Sequence, residues 1–292
     1  SVQYRSSAQE WLDEKKQLLK NKQPVVSHLS FPLFLVKQQT RYDEITGNQL
    51  SRSFEYRRGF YDGIEREFRG FGLLIQSDNP TCCSNTENTF QSAPTLTKTW
   101  FHIGNEVDLV IHDRNTSDEK AVPLKENIQK LRISWTPRSV GRVPAKTYLD
   151  ARKREIARAL NGRILRVEVY GQDTDAKSEY PYSVQQHRYR VDEIRGMGKN
   201  SPYSILNPVL LESINYQYER VPQDPRCTHT LNLQWDRYGY VTHSLEISYA
   251  RRTTALDTSP FTDKWEKKWW GDAHDESQQH YYLSEHKAQF IH

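Results

Sequence analysis

The sequence predicts a mainly β protein: an antiparallel meander of hairpins with two or three short helices. Three observations predict it. The first is period-two alternation of apolar and polar residues in several stretches between residues 163 and 249, the mark of strands with one buried face. The second is a turn signature at strand ends, an aromatic residue and an aspartate ahead of a glycine. It occurs as Tyr42-Asp43 before Gly47-Asn48, as Tyr61-Asp62-Gly63, and as Trp235-Asp236 before Gly239. The aromatic packs on the sheet, the carboxylate bonds the turn backbone, and glycine takes the positive-φ position. The third is composition. Tyr (17) and Trp (7) are abundant, Met occurs once, and apolar residues make up only 36%. Such a chain builds thin sheets with much two-sided surface rather than a thick core.

The elements follow in order. SSAQEWLDEKKQLLKN (6–21) reads as a helix. Ser7 is placed as its N-cap, and Glu10 three residues on completes a capping box. Ala8, Trp11, Leu12, Lys15, Leu18 and Leu19 fall on one face, and Pro24 ends the segment. From Pro24 to Gln76 the pattern is β. SFPLFLVKQQTRY is an apolar strand, DEITGNQL a turn, and SRSFEYRRGFYDG a returning strand. Residues 77–95 read as a polar loop, LTKTWFHIG (96–104) as a strand, and the chain to about 143 is weakly patterned. TYLDARKREIARALNG (147–162) is the best helix, with Leu149, Ile156, Ala159 and Leu160 on one face. Gly162 stands where a left-handed C-terminal residue is wanted. Arg152, Lys153, Arg154 and Arg158 on the other face read as a solvated surface.

The clearest alternation comes next, in RILRVEVYG, SINYQYER, THTLNLQW and VTHSLEISY. The short links VPQDPR and DRYGY join the last three into a meander. DKWEKKWWGD sets Trp265 and Trp269 at helical spacing beside Trp270, and YYLSEHKAQFIH resembles a strand. The expected organisation is a single segment, 1–292, with a first β part over 1–145 and a helix plus meander over 146–292, a fragment of something larger.

The chemistry is spare. The net charge is +4, with acidic residues spread evenly among basic ones, which argues against nucleic acid. Cys82, Cys83 and Cys227 make neither a disulfide framework nor a CxxC metal site, and point to folding in a reducing compartment. No signal peptide starts at Ser1, and no apolar run nears 18 residues. Glu65 and Glu67 have the look of an acid/base pair, but neighbouring arginines keep both ionised, the wrong state for a general acid; cross-strand ion pairing is expected instead. Gly70-Phe71-Gly72 lacks a third glycine and a following helix, so it is no dinucleotide loop. A bulge near Gly70 is expected to bring Phe68 and Phe71 to one side of the sheet.

His102, His112, His187, His229, His243, His274, His280, His286 and His292 include no pair at metal-binding helical spacing. Asp272, His274 and Asp275 cluster in a loop-like stretch. No nucleophile motif occurs. The expectation is therefore no catalytic, cofactor or metal residues and no enzyme. An alternative is a carbohydrate- or cell-surface-binding β module gripping sugars with Trp100, Trp135, Trp235 and the 265–270 cluster.

Long blocks carry a family resemblance. YRSSAQEWLDEK (4–15), FPLFLVKQQTRYDEITGNQL (31–50), YRRGFYDGIEREFRGFGLL (56–74), APTLTKTWFHIG (93–104), REIARALNGRILRVEVYGQD (154–173), YPYSVQQHRYRV (180–191) and the run from Ile214 to Arg252 resemble, in this order, the Tc toxin B component, TcB, in its middle-to-C-terminal region. The resemblance implies RHS (YD-repeat) hairpins forming part of a hollow shell. Such B components build that shell with the C component around a cytotoxic polypeptide, while a β-propeller elsewhere docks on the A component. The implied partners are the rest of TcB, the C component and the enclosed toxin chain, with the A component only indirect and no nucleic acid. The implied location is a secreted toxin complex assembled from chains folded in the bacterial cytoplasm. Tyr240 departs from the family, which often has Asn there, and the tryptophan cluster is not a family motif.

Overall fold

The computed structural model describes residues 1–81, 93–104, 114–121, 124, 145–173, 176–197 and 203–291. Among these residues eleven strands form one sheet whose spatial order is the chain order, and every pair is antiparallel. They are β1 (Val2–Ser6), β2 (Phe34–Tyr42), β3 (Gln49–Asp62), β4 (Glu67–Thr81), β5 (Thr95–Phe101), β6 (Ile164–Gly171), β7 (Ser183–Arg195), β8 (Ile205–Gln217), β9 (Arg226–Trp235), β10 (Val241–Ser248) and β11 (Tyr282–Lys287). Three short helices accompany them: α1 (Ser7–Lys20), α2 (Ala145–Ala159) and α3 (Lys264–Asp272). The fold class expected from the alternation is the one observed. β5 pairs directly with β6, so one ladder runs through both parts of the chain.

Cross-strand partners share a face of a sheet. The register therefore sets Arg57, Leu73, Trp100, Arg166, Gln186, Ile214 and His229 in one transverse row. Trp100 is fully buried, and Leu73 and Ile214 nearly so. A second row on the same face holds Glu55, Ile75, Lys98, Glu168, Val184, Tyr216 and Cys227. Val184, Tyr216 and Cys227 pack with Tyr218 and Ile214 into the larger core cluster, against which Ala121, Leu124 and Tyr249 rest. α2 adds a smaller one, Ile156 and Leu160 against Val191.

The bulge lies where the sequence places it. Phe60 pairs with Gly70 and Tyr61 with Phe68, which leaves Arg69 as the extra residue. Gly70 takes φ +97°. Both phenylalanines come to one side, with ring centroids 5.6 Å apart. The aspartate turns are also as expected. Asp43 Oδ1 accepts from the Ile45 N–H at 3.0 Å, Asp62 Oδ1 from Ile64 at 3.0 Å, and Asp236 Oδ1 from Tyr238 and Tyr240 at 2.9 Å each. Gly47 and Gly239 supply the positive φ at two of them, but at the turn after β3 Arg66 does so (+55°), not Gly63.

α2 departs from expectation on its basic face. Arg152 is buried, paired with Glu155 at 3.3 Å and with Glu193 of β7, and bonded to Ser204. Only part of that face is solvated, because β7 and the approach to β8 bring acceptors against it.

Candidate functional site

The most specialised geometry is a fork in the sheet. β2 pairs with β3 only from Gln38 to Tyr42, against Ser53 to Gln49; its first half pairs with β1. β3 continues to Asp62, so its next residues present backbone N–H groups to a missing strand. Such groups need partners when they are shielded from water. α1 supplies them. Tyr56 N–H donates to Glu10 Oε2 at 3.2 Å, and Arg58 N–H reaches both Glu14 oxygens at 3.1 and 3.2 Å. The two glutamates are four residues apart, hence on one helical face. Beyond them the Tyr61 N–H donates to the His28 carbonyl at 2.8 Å, and His28 forms a parallel bridge with Phe60. Two carboxylates and one short segment stand in for a strand.

This seat overrides the capping box. Ser6, not Ser7, caps α1, its hydroxyl accepting from the Ala8 N–H at 3.3 Å. Ser7 is buried; its hydroxyl accepts from the Leu33 N–H at 2.9 Å while its own N–H donates to the Leu33 carbonyl at 2.8 Å. Glu10, only 4% exposed, gains a cation from Arg5 at 3.1 Å. Arg5 also bonds Asp13 and holds that carboxyl below its usual range. Trp11, Glu14 and Leu18 turn inward, whereas Leu12 and Leu19 stay exposed. Arg58, where the strand meets Glu14, takes φ +56°.

A cavity of about 620 Å³ lies between α1 and the sheet. Trp11, Leu18, Phe31, Tyr56, Phe71 and Leu165 are among its walls. Gly59 lets the strand approach: a Cβ there would meet Phe71 Cε1 at 2.9 Å and Leu29 Cδ2 at 3.2 Å.

Buried polar groups also lie along the strands. Glu168 is fully buried and accepts from Arg166 Nε at 2.6 Å, the Tyr170 hydroxyl at 2.7 Å and the Asn115 N–H at 2.8 Å. Burial and then the Glu168 charge push the Tyr170 hydroxyl far up. Arg69, the bulge residue, lies buried with Nη2 3.1 Å from Asp62 Oδ2 and Nε 3.4 Å from Glu67. Burial raises the Asp62 carboxyl, but the Glu65 and Ile64 N–H groups and Arg69 outweigh it and hold it low. Glu65 lies in the turn after β3 and meets Arg158 of α2 at 3.6 Å. Glu65 and Glu67 are thus ion-pair partners, one of a helix and one within its own strand.

The other candidates separate in space. Trp100 is core, Trp235 lies under the Arg190 guanidinium at 4.1 Å, and Trp270 packs on His274. Only Trp265 and Trp269, 60% and 65% exposed, form a surface pair; Trp135 lies outside the described residues. His102 is buried in backbone contact with Arg163 and Gly162, His229 bonds Glu212 at 3.1 Å, and His243 bonds Glu285 at 2.8 Å. Burial lowers His187. Cys227 is free and buried, and burial pushes its thiol up to about 11. Cys82, Cys83, His112 and His292 fall outside the described residues. Among the described residues no three His, Cys, Asp or Glu side chains gather as metal ligands.

What the sequence did not reveal are Glu10, Glu14 and Glu168, carboxylates committed to backbone and strand neighbours. The one available signal was the four-residue spacing of Glu10 and Glu14 ahead of a charged strand.

Fold and site together define one antiparallel sheet in which buried polar residues bond strands and helices to one another. Comparison with known proteins makes this specific. The profile of the insecticide toxin TcdB middle/N-terminal region matches residues 1–104, and that of its middle/C-terminal region matches residues 155–292. The chain belongs to the TcB family, the B components of insecticidal toxin complexes, and corresponds to their middle region. Solved structures agree. The crystal structure of TcdB2-TccC3-TEV is 31% identical, with a TM-score of 0.82 over 99% of this chain. That of TcdB2-TccC3-Cdc42 is 31% identical, with 0.83 over 100%. The Photorhabdus luminescens Tc holotoxin pore is 31% identical, with 0.79 over 100%. The chain spans 13% of the length of each of these. No curated protein matches it.

Proposed function

We propose that this segment is part of the wall of a toxin shell that encloses a cytotoxic polypeptide and helps deliver it, with no catalysis of its own. The observation that carries this reading is the topology. Eleven strands in unbroken chain order make a sheet that grows in one direction, and among the described residues β1 and β11 each have one neighbour. An edge of that kind suits continuation by further strands. The turn aspartates repeat the same corner along it. The relatives' pairing of TcdB2 with TccC3 supports a C component as the partner, with the toxin chain inside and the A component reached through other parts of the protein. The family supports secretion within an assembled complex. No helix among the described residues is long and apolar enough to cross a membrane.

Leu283 and Ser284 are adjacent on β11, both exposed, and alternate residues of a strand face opposite sides. Single cysteines at these two positions, in a background lacking Cys82 and Cys83, test the wall. In the assembled complex with the C component, a bulky maleimide is expected to modify one position and spare the other, while both react in the separated chain. Equal modification of both in the complex would overturn the reading.

A further inference from the structure

His274 follows α3, and its two ring nitrogens have fixed neighbours. Nδ1 lies 2.6 Å from the Trp270 carbonyl oxygen, and Nε2 lies 3.1 Å from Thr253 Oγ1. A carbonyl oxygen only accepts, so Nδ1 carries hydrogen. Thr253 Oγ1 also lies 2.5 Å from Asp224 Oδ2. Burial works against the charge on Asp224, but Arg251, Thr253 and the Arg252 N–H outweigh it and hold the carboxyl below its usual range. Arg251 Nη2 and Nε approach Oδ2 at 2.7 and 3.0 Å, and the Arg252 N–H approaches Oδ1 at 2.6 Å. An ionised carboxylate brings no hydrogen to the Asp224–Thr253 contact, so the single hydroxyl hydrogen of threonine occupies it. Nε2 then faces a lone pair and must donate. Both nitrogens donate, and the ring is an imidazolium.

The surroundings suit a cation. The Trp270 carbonyl is among the last four of α3, which lack helical partners and carry the negative end of the helix dipole. The Trp270 ring lies against the imidazole with centroids 4.1 Å apart. Among the described residues, Asp224 and Arg251 reach it through Thr253, and Asp272, Asp275 and Glu276 lie on its own segment. Asp275 Oδ1 is occupied by the Ser277 N–H at 3.1 Å, and Arg252 turns away to Asp118 at 2.8 Å.

We propose that His274 is a proton-operated latch that docks α3, with its exposed Trp265 and Trp269, onto the loop following β10. The protonated ring makes both bonds. Once the ring proton leaves, Nε2 and Asp224 compete for one threonine hydrogen, and a bond is lost. The docking is complete while the ring is charged and loosens once rising pH removes the ring proton. Nothing in the wall reading requires such a switch.

Hydrogen exchange in the full chain tests it, with rates corrected for intrinsic pH dependence. Amides of residues 264–274 are expected to be about tenfold or more better protected at pH 5.5 than at pH 8, the scale of one charge-assisted hydrogen bond. His274→Gln removes the difference, and Thr253→Val diminishes it, while β8–β10 amides stay unchanged. Equal protection at both pH values in the unmodified chain, or a difference that survives His274→Gln, overturns the latch. Should the variants misfold, imidazole nitrogen NMR of the unmodified chain decides. A doubly protonated His274 ring at pH 5.5 that becomes singly protonated by pH 8 supports it, and a neutral ring at both overturns it.

Discussion

α1 and α3 sit near opposite ends of the sheet and are held in opposite ways. α1 enters the fork between β2 and β3 and bonds a strand's backbone through Glu10 and Glu14. Its start is stitched to Leu33, and its inward residues roof a cavity. None of the residues of α3 is buried. Its own Asp263 caps one end, and at the other His274 ties it to Thr253. Yet α3 has the stronger aromatic content, and α1 the more polar inward face. Apolar patterning therefore did not decide which helix is built in. Unsatisfied backbone did: a sheet that splits leaves N–H groups that carboxylates can fill, and β10 and β11 beside α3 leave no such gap between them, because they pair from His243 to Ser248.

The sharpest way to break this comparison is Glu10→Ala. It removes the acceptor for Tyr56 and the partner of Arg5, in a nearly buried position. The expected loss is about 2–3 kcal/mol, the scale of a buried charge-assisted contact whose removal leaves the Tyr56 N–H unmatched while Arg5 keeps Asp13. Urea denaturation reads it. A change below about 0.5 kcal/mol would mean that α1 rests on the sheet by apolar packing alone.

Much of the fold was legible, for reasons tied to local chemistry. The strands β8 and β9 alternate because one face carries Ile214, Tyr216, Leu231 and Cys227 and the other carries Ser213, Asn215, Thr228, Thr230 and Asn232. The turn aspartates and the bulge at Gly70 are fixed by neighbours within a few residues. The seat of α1 was not legible. Ser7 and Glu10 have the spacing of a capping box, but their partners lie 26 and 46 residues away, at Leu33 and Tyr56. The far end of β4 read as a loop because Ser77-Asp78-Asn79-Pro80-Thr81 is polar; it is a strand because β3 extends to pair with it, Gln49 opposite Thr81. Arg152 read as solvated because its acceptors, Glu193 of β7 and Ser204 just before β8, are distant in sequence. Local signals set elements, and these long-range pairings set burial.

The α3 end yields a smaller effect with a defined sign in pH. Asp224 and Asp118 are both held low, Asp118 by Arg252 and the Tyr218 hydroxyl against the cost of burial. A carboxyl lowered on folding contributes stability that is present above its unfolded value, near 3.8, and lost as pH falls through the folded one. Acid below about pH 4 therefore loosens this end. Asp224→Asn is expected to cost about 1–2 kcal/mol at pH 7 and to flatten the acid limb of the stability profile. An unchanged acid limb would place the acid-sensitive groups elsewhere, at Asp62 or Asp13.

The smallest effect belongs to the exposed pair. Trp265→Ala with Trp269→Ala removes large side chains that no described element covers, so stability is expected to stay within about 0.5 kcal/mol. The same variant separates wall from sugar-binding module, because Trp100 is core and Arg190 covers Trp235. These two residues are the exposed tryptophans left to grip a glycan among the described residues. A glycan array that is blank for both the unmodified chain and the variant keeps α3 an appendage of a wall. Binding that vanishes with the pair would give α3 a ligand, and would make the contrast with α1 one of function as well as of construction.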